Sequence, residues 1–347
     1  MYQDVFFADR TVSSYSCFTI VLYIKNREIL TTSFSDSKVN GLLAEICVLA
    51  QKVSTRSHMK VFTEQYLTPL NNILRSLKGM KEEALPTLDM FIDNDRLRDC
   101  IINDGNQRHL ENMLMLQIFH SFVLRNMEKA QLIVDLIEEH ITKKNLSLMY
   151  VMIDIYVGLT ACNSMRYAKR NHTINAPESE VTSRLSQALK TCEQLKLLTA
   201  HSKWNFENKH LLLLTECQYA QGKMEKAAES YQASIYSAKL HKFINEQALA
   251  CELAGYFYKD QGDETIAMDM FKQANQAYMQ WGAIGKAKLL RESTGIEDDI
   301  STLGAIVTRK NAGIQDVSIP ITTIAMQQKT EFESNPIGTS RRDANNN

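Results

Sequence analysis

A 40-residue pattern occurs twice in the C-terminal half of the chain, and it constrains the fold more than any other feature. Gln221-Gly222-Lys223-Met224-Glu225-Lys226-Ala227 with Tyr231 is followed 40 residues later by Gln261-Gly262-Asp263-Glu264-Thr265-Ile266-Ala267 with Phe271. Each copy reads as the end of one helix, a short turn holding Gly, and a second helix that opens with Ala and presents an aromatic ring one turn later. Helical hairpins of this kind stack on their neighbours to bury a shared core, so a chain built from them is all-α and repetitive. Nothing in the flanking sequence opposes long helices, since 87–176 and 178–319 contain no proline.

The residue types within the repeat follow from packing. Gly255 and Ala267 are small enough for two helices to approach closely, Ala274 continues that small face, and Tyr258 and Phe271 fill the space between hairpins. Gly262 followed by Asp263 suits a helix end that needs positive φ and an acidic residue near the start of the next helix. Trp281-Gly282 reads either as a ligand platform or, the favoured reading, as Trp281 packing over the last hairpin with Gly282 ending its helix. Asn245 and Glu246 read either as a polar binding pair or as an N-cap followed by an acidic first-turn residue. Glu252 lies one face step from Ala248 and Gly255, so its carboxylate is expected either to pair with Lys286 or Arg291 or to line a concave groove. Met127-Glu128-Lys129-Ala130 matches Met224 to Ala227 and suggests an older copy of the repeat.

Helical patterning extends through most of the chain. The apolar stretch 13–24 favours a helix in its context. Leu42, Leu43, Ile46, Leu49 and Ala50 share one helical face, and Phe62, Tyr66, Leu70, Ile73 and Leu77 share another, with Gly79 as its stop. Further helical patterns cover 110–124, 128–141, 150–161 and 181–198, with a polar break at 171–177. From 297 to 347 the periodicity is lost, and this segment reads as a mostly disordered tail. The expected organisation is therefore a helical-repeat array over 1–292, with its best hairpins at 203–240 and 245–281. Patterning that begins almost at Met1, with no capping repeat, predicts that a preceding segment or another molecule covers that end.

Charge and cysteine usage narrow the function classes. With 39 basic and 40 acidic residues, and a formal net charge of −1, the chain lacks the basic excess of a phosphate-neutralising surface, so no nucleic-acid partner is expected. Arg166, Lys169, Arg170 and His172 read as a solvated face or a contact for an acidic partner or a phosphate. The seven cysteines are dispersed without a C-x-x-C pair, which fits buried reduced thiols in a cytoplasmic protein. The apolar run 17–24 is too short to cross a bilayer. None of the eight histidines sits in a metal-ligand pattern, and no nucleophile signature is present, so neither a metal, a cofactor nor an enzymatic activity is expected.

The spacing of Gly255, Tyr258, Gly262, Ala267, Phe271 and Ala274 resembles a tetratricopeptide unit, with a period of 40 in place of about 34 and Met279 where Pro often closes the second helix. A longer resemblance is carried by Asn245-Glu246-Gln247-Ala248-Leu249-Ala250-Cys251-Glu252-Leu253-Ala254-Gly255-Tyr256-Phe257-Tyr258, Gly262, and Ala277-Tyr278-Met279-Gln280-Trp281-Gly282-Ala283-Ile284-Gly285-Lys286. These runs look like the end of the large helical region of multi-sensor hybrid signalling kinases. Such proteins join a Ser/Thr-kinase-like domain, an AAA-type ATPase, a helical array, GAF sensors and often a histidine kinase. Asn205-Phe206 with Lys209 and Glu216, the run 154–159, and Leu85-Pro86 with Phe91-Ile92-Asp93 are similar to the same region. The resemblance implies an α-solenoid of tetratricopeptide-like hairpins acting as a noncatalytic scaffold, with a protein or peptide partner that includes flanking signalling domains. It carries no catalysis over, because no phosphate loop, H-R-D or D-F-G element occurs here. The alternative reading is a freestanding adaptor that captures a peptide or helix in its concave groove.

Overall fold

The computed structural model describes residues 68–80, 107–141, 148–171 and 178–297. The helices expected at 13–24 and 42–50, the first part of the one at 62–77, most of the polar break at 171–177 and the tail from 298 onward lie outside those residues. Within them the chain is all-helical, with no strand. The helices in chain order are α1 (Thr68–Lys78), α2 (Gln107–Val123), α3 (Met127–His140), α4 (Leu148–Asn171), α5 (Glu178–His201), α6 (Lys203–Ala220), α7 (Met224–Leu240), α8 (Ile244–Asp260), α9 (Glu264–Trp281) and α10 (Ile284–Thr294). From α4 to α10 each helix packs against the next, and α2, α3 and α4 pack among themselves.

One turn geometry, used five times, makes the hairpins. It joins α2 to α3, α6 to α7, α7 to α8, α8 to α9 and α9 to α10. Two residues before each new helix the backbone is left-handed, at Arg125, Gly222, Lys242, Gly262 and Gly282, with φ of 62, 83, 60, 80 and 86°. The next residue donates its N–H five residues back, from Asn126 to Ser121, Lys223 to Gln218, Phe243 to Ala238, Asp263 to Tyr258 and Ala283 to Tyr278, at 2.9–3.0 Å. Its own carbonyl then accepts from the residue four ahead, so one short loop satisfies both a closing and an opening helix end. Asp263 adds a side-chain cap, accepting from the Ile266 N–H at 3.0 Å, and Asn126 does the same for Lys129 at 3.1 Å.

Helices α7 to α10 start at Met224, Ile244, Glu264 and Ile284, at intervals of 20 residues. The 40-residue pattern in the sequence is therefore two turns of a 20-residue helix-and-turn unit, disguised because Lys242 stands where its neighbours have Gly. A side chain in the left-handed region costs about 1–2 kcal/mol. Lys242→Gly removes that strain but adds freedom to the unfolded chain, so it is expected to stabilise the protein by a net of about 0.5–1 kcal/mol in urea denaturation. A variant no more stable than the parent would show that the strain at Lys242 does not exceed the cost of the added chain freedom.

Small residues set the helix spacing. Ala130, Ala227, Ala267 and Ala287, each placed three residues into a helix that follows one of these turns, are fully buried. A Cβ on Gly255 would lie 2.5 Å from the Phe271 ring, which shows how closely α8 and α9 approach. Phe271 and Ala274 are buried, as is Tyr231, whose ring lies 5.3 Å from Phe257. Tyr258 is half-buried with its ring 5.0 Å from that of Phe257. Trp281 is buried at the end of α9, and Gly282 stops the helix there.

The chain also packs back on itself. α1 lies against α10, distant from it in sequence, and the two backbones meet where Gly79 follows α1 and Gly285 opens α10. Leu70, Ile73, Leu74 and Leu77 of α1 are fully buried, and His120 of α2 bonds Ser76 through Nε2 at 3.0 Å. Beyond the end of α2, the Arg125 guanidinium lies 4.7 Å from the centre of the Tyr256 ring on α8.

Candidate functional site

The polar residues singled out in the sequence converge on a ladder of buried ion pairs that runs through alternate helices α4, α6, α8 and α10. Arg166 of α4 pairs with Glu216 of α6 at 2.6 Å, and Lys209 of α6 pairs with Glu246 of α8 at 2.8 Å. Glu252 of α8 then pairs with Lys286 of α10 at 2.7 Å. Helices α6 and α8 each contribute to two rungs, from positions about two turns apart. A local reading cannot find these partners because they lie 34–50 residues away in sequence, although isolated charges on apolar helix faces do signal that some partner exists.

Each carboxylate has a further donor. The Tyr231 hydroxyl of α7 donates to Glu216, and the Tyr278 hydroxyl of α9 donates to Glu252 at 2.7 Å. Asn208 donates its amide N–H to Glu246, while Ser234 donates to the Asn208 carbonyl at 3.1 Å. The intervening helices α7 and α9 thus supply the hydrogen bonds that buried Glu216 and Glu252 need, while Glu246 is served by Asn208 of α6 itself. Burial drives the Tyr231 and Tyr278 hydroxyls well above the usual phenol range, and the adjacent carboxylates add to it, so both remain protonated donors. Burial also pushes the Glu246 carboxyl up against the opposing pull of Lys209, and pushes the Lys286 ammonium down against that of Glu252.

Aromatic faces cover the cations. Lys209 Nζ lies 4.3 Å from the centre of the Phe243 ring, Arg166 lies 4.4 Å from that of Tyr219, and Lys286 lies 5.3 Å from that of Tyr278. Arg166 is therefore no part of a solvated basic face. The side chains of Lys169, Arg170 and His172 lie outside the described residues.

Two local expectations change. Asn245 is not an N-cap, because α8 starts one residue earlier, at Ile244, behind Phe243. The repeated turn sets that start, and the Phe243 ring is buried under Lys209. Asn245, Glu246, Glu252 and Lys286 are all buried, at 5, 7, 0 and 2 % exposure, so none lines a groove open to a partner. Arg291, the other expected partner of Glu252, instead donates to Asn275 at 3.0 Å.

The space beside the ladder is small. A cavity of about 20 Å³ lies among Met152, Tyr156, Asn208, Lys209, Glu246 and Leu249, with room for roughly one water. A second, of about 10 Å³, lies among Phe119, Val123, Tyr156, Glu246, Tyr278 and Trp281, so α2 and α4 face the polar side of α8 there. Several large apolar side chains remain exposed elsewhere, including Leu197, Trp204, Tyr236 and Leu240, and Trp204 stacks on His241 at 5.4 Å.

Among the described residues, no group of three or more His, Cys, Asp or Glu side chains is placed to hold a metal ion. No helix among them is long and apolar enough to cross a membrane. No protein-family model, curated protein or solved structure matches the chain.

Proposed function

We propose that the chain is a noncatalytic helical-repeat scaffold, a tetratricopeptide-like α-solenoid that organises protein contacts within a signalling protein of the ATPase or kinase type and works in the cytoplasm. The observation that carries this reading is the ion-pair ladder. The buried charges of α4, α6, α8 and α10 are paired with one another across helices, which supports a structural role for them. The repeated turn supports the solenoid reading, since one 20-residue unit stacked in series is how such arrays grow. The link to signalling rests on the sequence resemblance of 245–286.

The adaptor reading loses its expected anchors, since Asn245, Glu246, Glu252 and Lys286 are enclosed by the protein itself. Partners would then meet exposed apolar side chains such as Trp204, Tyr236 and Leu240.

The test is the size of the native protein in its own cells. Antibodies raised against 203–292 are used on a denaturing blot and on gel-filtration fractions of the same lysate, with the purified 39.6 kDa chain as the marker. A scaffold is expected to appear in a species much larger than the marker in at least one of the two. A signal that runs with the isolated chain in both would overturn the proposal, as would reproducible turnover of nucleotides or esters by the pure protein.

A further inference from the structure

Three cysteines from three helices meet in the core beside the first rung of the ladder. Cys217 of α6 has its sulfur 3.7 Å from that of Cys162 on α4 and 3.9 Å from that of Cys192 on α5. All three are buried, at 0, 0 and 2 % exposure for Cys162, Cys217 and Cys192. These are weak thiol–thiol hydrogen-bond contacts, and a disulfide requires the sulfurs to close to about 2.05 Å. Cys251, the other described cysteine, is buried on α8 and free.

We infer that this cluster is a thiol oxidation site, in which Cys217 reacts with a hydroperoxide and forms a disulfide with Cys162, Cys192 being the alternative partner. The argument is geometric. Cys217 is the one sulfur that touches both of the others, so it is the common member of either bridge. Cys162 is the nearer partner, and a bridge to it would join α4 to α6 close to the Arg166–Glu216 pair, across an interface the two helices already share. Hydrogen bonds from the Cys162 and Cys192 thiols pull Cys217 below the usual thiol range, and the Arg166 guanidinium adds to this. The same contacts and burial raise Cys162 and Cys192, while burial and the adjacent Glu216 carboxylate oppose the lowering at Cys217.

The reaction balances without any other reagent. The Cys217 thiolate attacks one oxygen of hydrogen peroxide, the O–O bond breaks, and the departing hydroxide takes up a proton to leave as water. Cys217 is then a sulfenic acid. The Cys162 thiol loses its proton, its sulfur attacks the Cys217 sulfur, the S–O bond breaks, and hydroxide leaves with that proton as a second water. Two thiols are oxidised and one peroxide is reduced. Because the sulfurs are enclosed, peroxide reaches them only through local opening, which makes the site slow to respond compared with an exposed thiol.

The cysteines fall on three separate tryptic peptides, ending at Arg166, Lys196 and Lys223, so each bridge has its own mass. The folded chain is treated with hydrogen peroxide, blocked with an alkylating reagent, digested without reductant and mapped by mass spectrometry. The peptide pair holding Cys162 and Cys217 is expected to dominate, with less of the Cys192 pair, and dithiothreitol should abolish both. Cys162→Ser should divert the product to the Cys192–Cys217 pair, and Cys217→Ser should yield neither. Failure of the folded wild-type chain to form a bridge to Cys217 would overturn the inference, whatever the variants do. So would a bridge that forms only after unfolding in urea.

Discussion

Lys286→Met is expected to destabilise the protein by about 3–5 kcal/mol, enough to lower the melting temperature by many degrees. The methionine keeps most of the lysine's length but leaves Glu252, which is 0 % exposed, with the Tyr278 hydroxyl as its remaining side-chain donor. The cost is that of a stranded buried carboxylate, which exceeds the net worth of the pair. A second variant separates these two quantities. Glu252→Leu, Tyr278→Phe and Lys286→Met together replace the whole buried polar trio by apolar side chains and should recover most of the loss. A single variant that melts like the parent would show that the Glu252–Lys286 pair is not shielded from water. A triple variant as unstable as the single one would place the energy in packing and not in the uncompensated charge.

The same logic ranks the three rungs. The Glu246 carboxylate retains 9 % exposure, so water can rescue it in part when Lys209 is lost, whereas Glu216 and Glu252 stand at 1 and 0 %. Loss of the cation should therefore cost least at Lys209–Glu246 and most at Glu252–Lys286. Each rung joins helices that alternate in the chain, α4 to α6, α6 to α8 and α8 to α10.

How much of this was legible in the sequence depends on the range over which each signal acts. The α8–α9 hairpin was readable because Gly255, Gly262, Ala267 and Phe271 act on residues close in the chain, and the turn at Gly282 was readable for the same reason. The 20-residue unit was not, since Lys242 adopts φ 60° without the glycine that marks the conformation elsewhere. Glu252 was recognisable as needing a partner and Lys286 was among those expected. Lys209, by contrast, stood out only through resemblance, and its pairing with Glu246 spans a separation no local periodicity encodes. The return of α1 onto α10 left no trace beyond two glycines far apart in sequence, Gly79 and Gly285.

That contact yields the second large effect. Gly285→Ala is expected to cost about 3 kcal/mol and to release α1 from α10. The new Cβ would lie 2.3 Å from the Gly79 nitrogen, 2.5 Å from its Cα and 2.9 Å from the Ser76 carbonyl oxygen. All three are backbone atoms, so no rotamer change relieves the overlap, and the helices themselves have to separate. Leu70, Ile73, Leu74 and Leu77, now fully buried, would lose part of their cover. Hydrogen exchange locates the effect: amides of 68–78 should exchange faster while those of α8 and α9 remain protected. Gly262→Ala serves as the control, because nothing lies within 4 Å of its Cβ and only the φ of +80° is strained. It should cost about 1 kcal/mol and leave exchange in 68–78 unchanged. Unaltered protection of α1 in the Gly285 variant would mean that the two helices are not held at backbone contact, and the closure of the array through α1 would have to be abandoned.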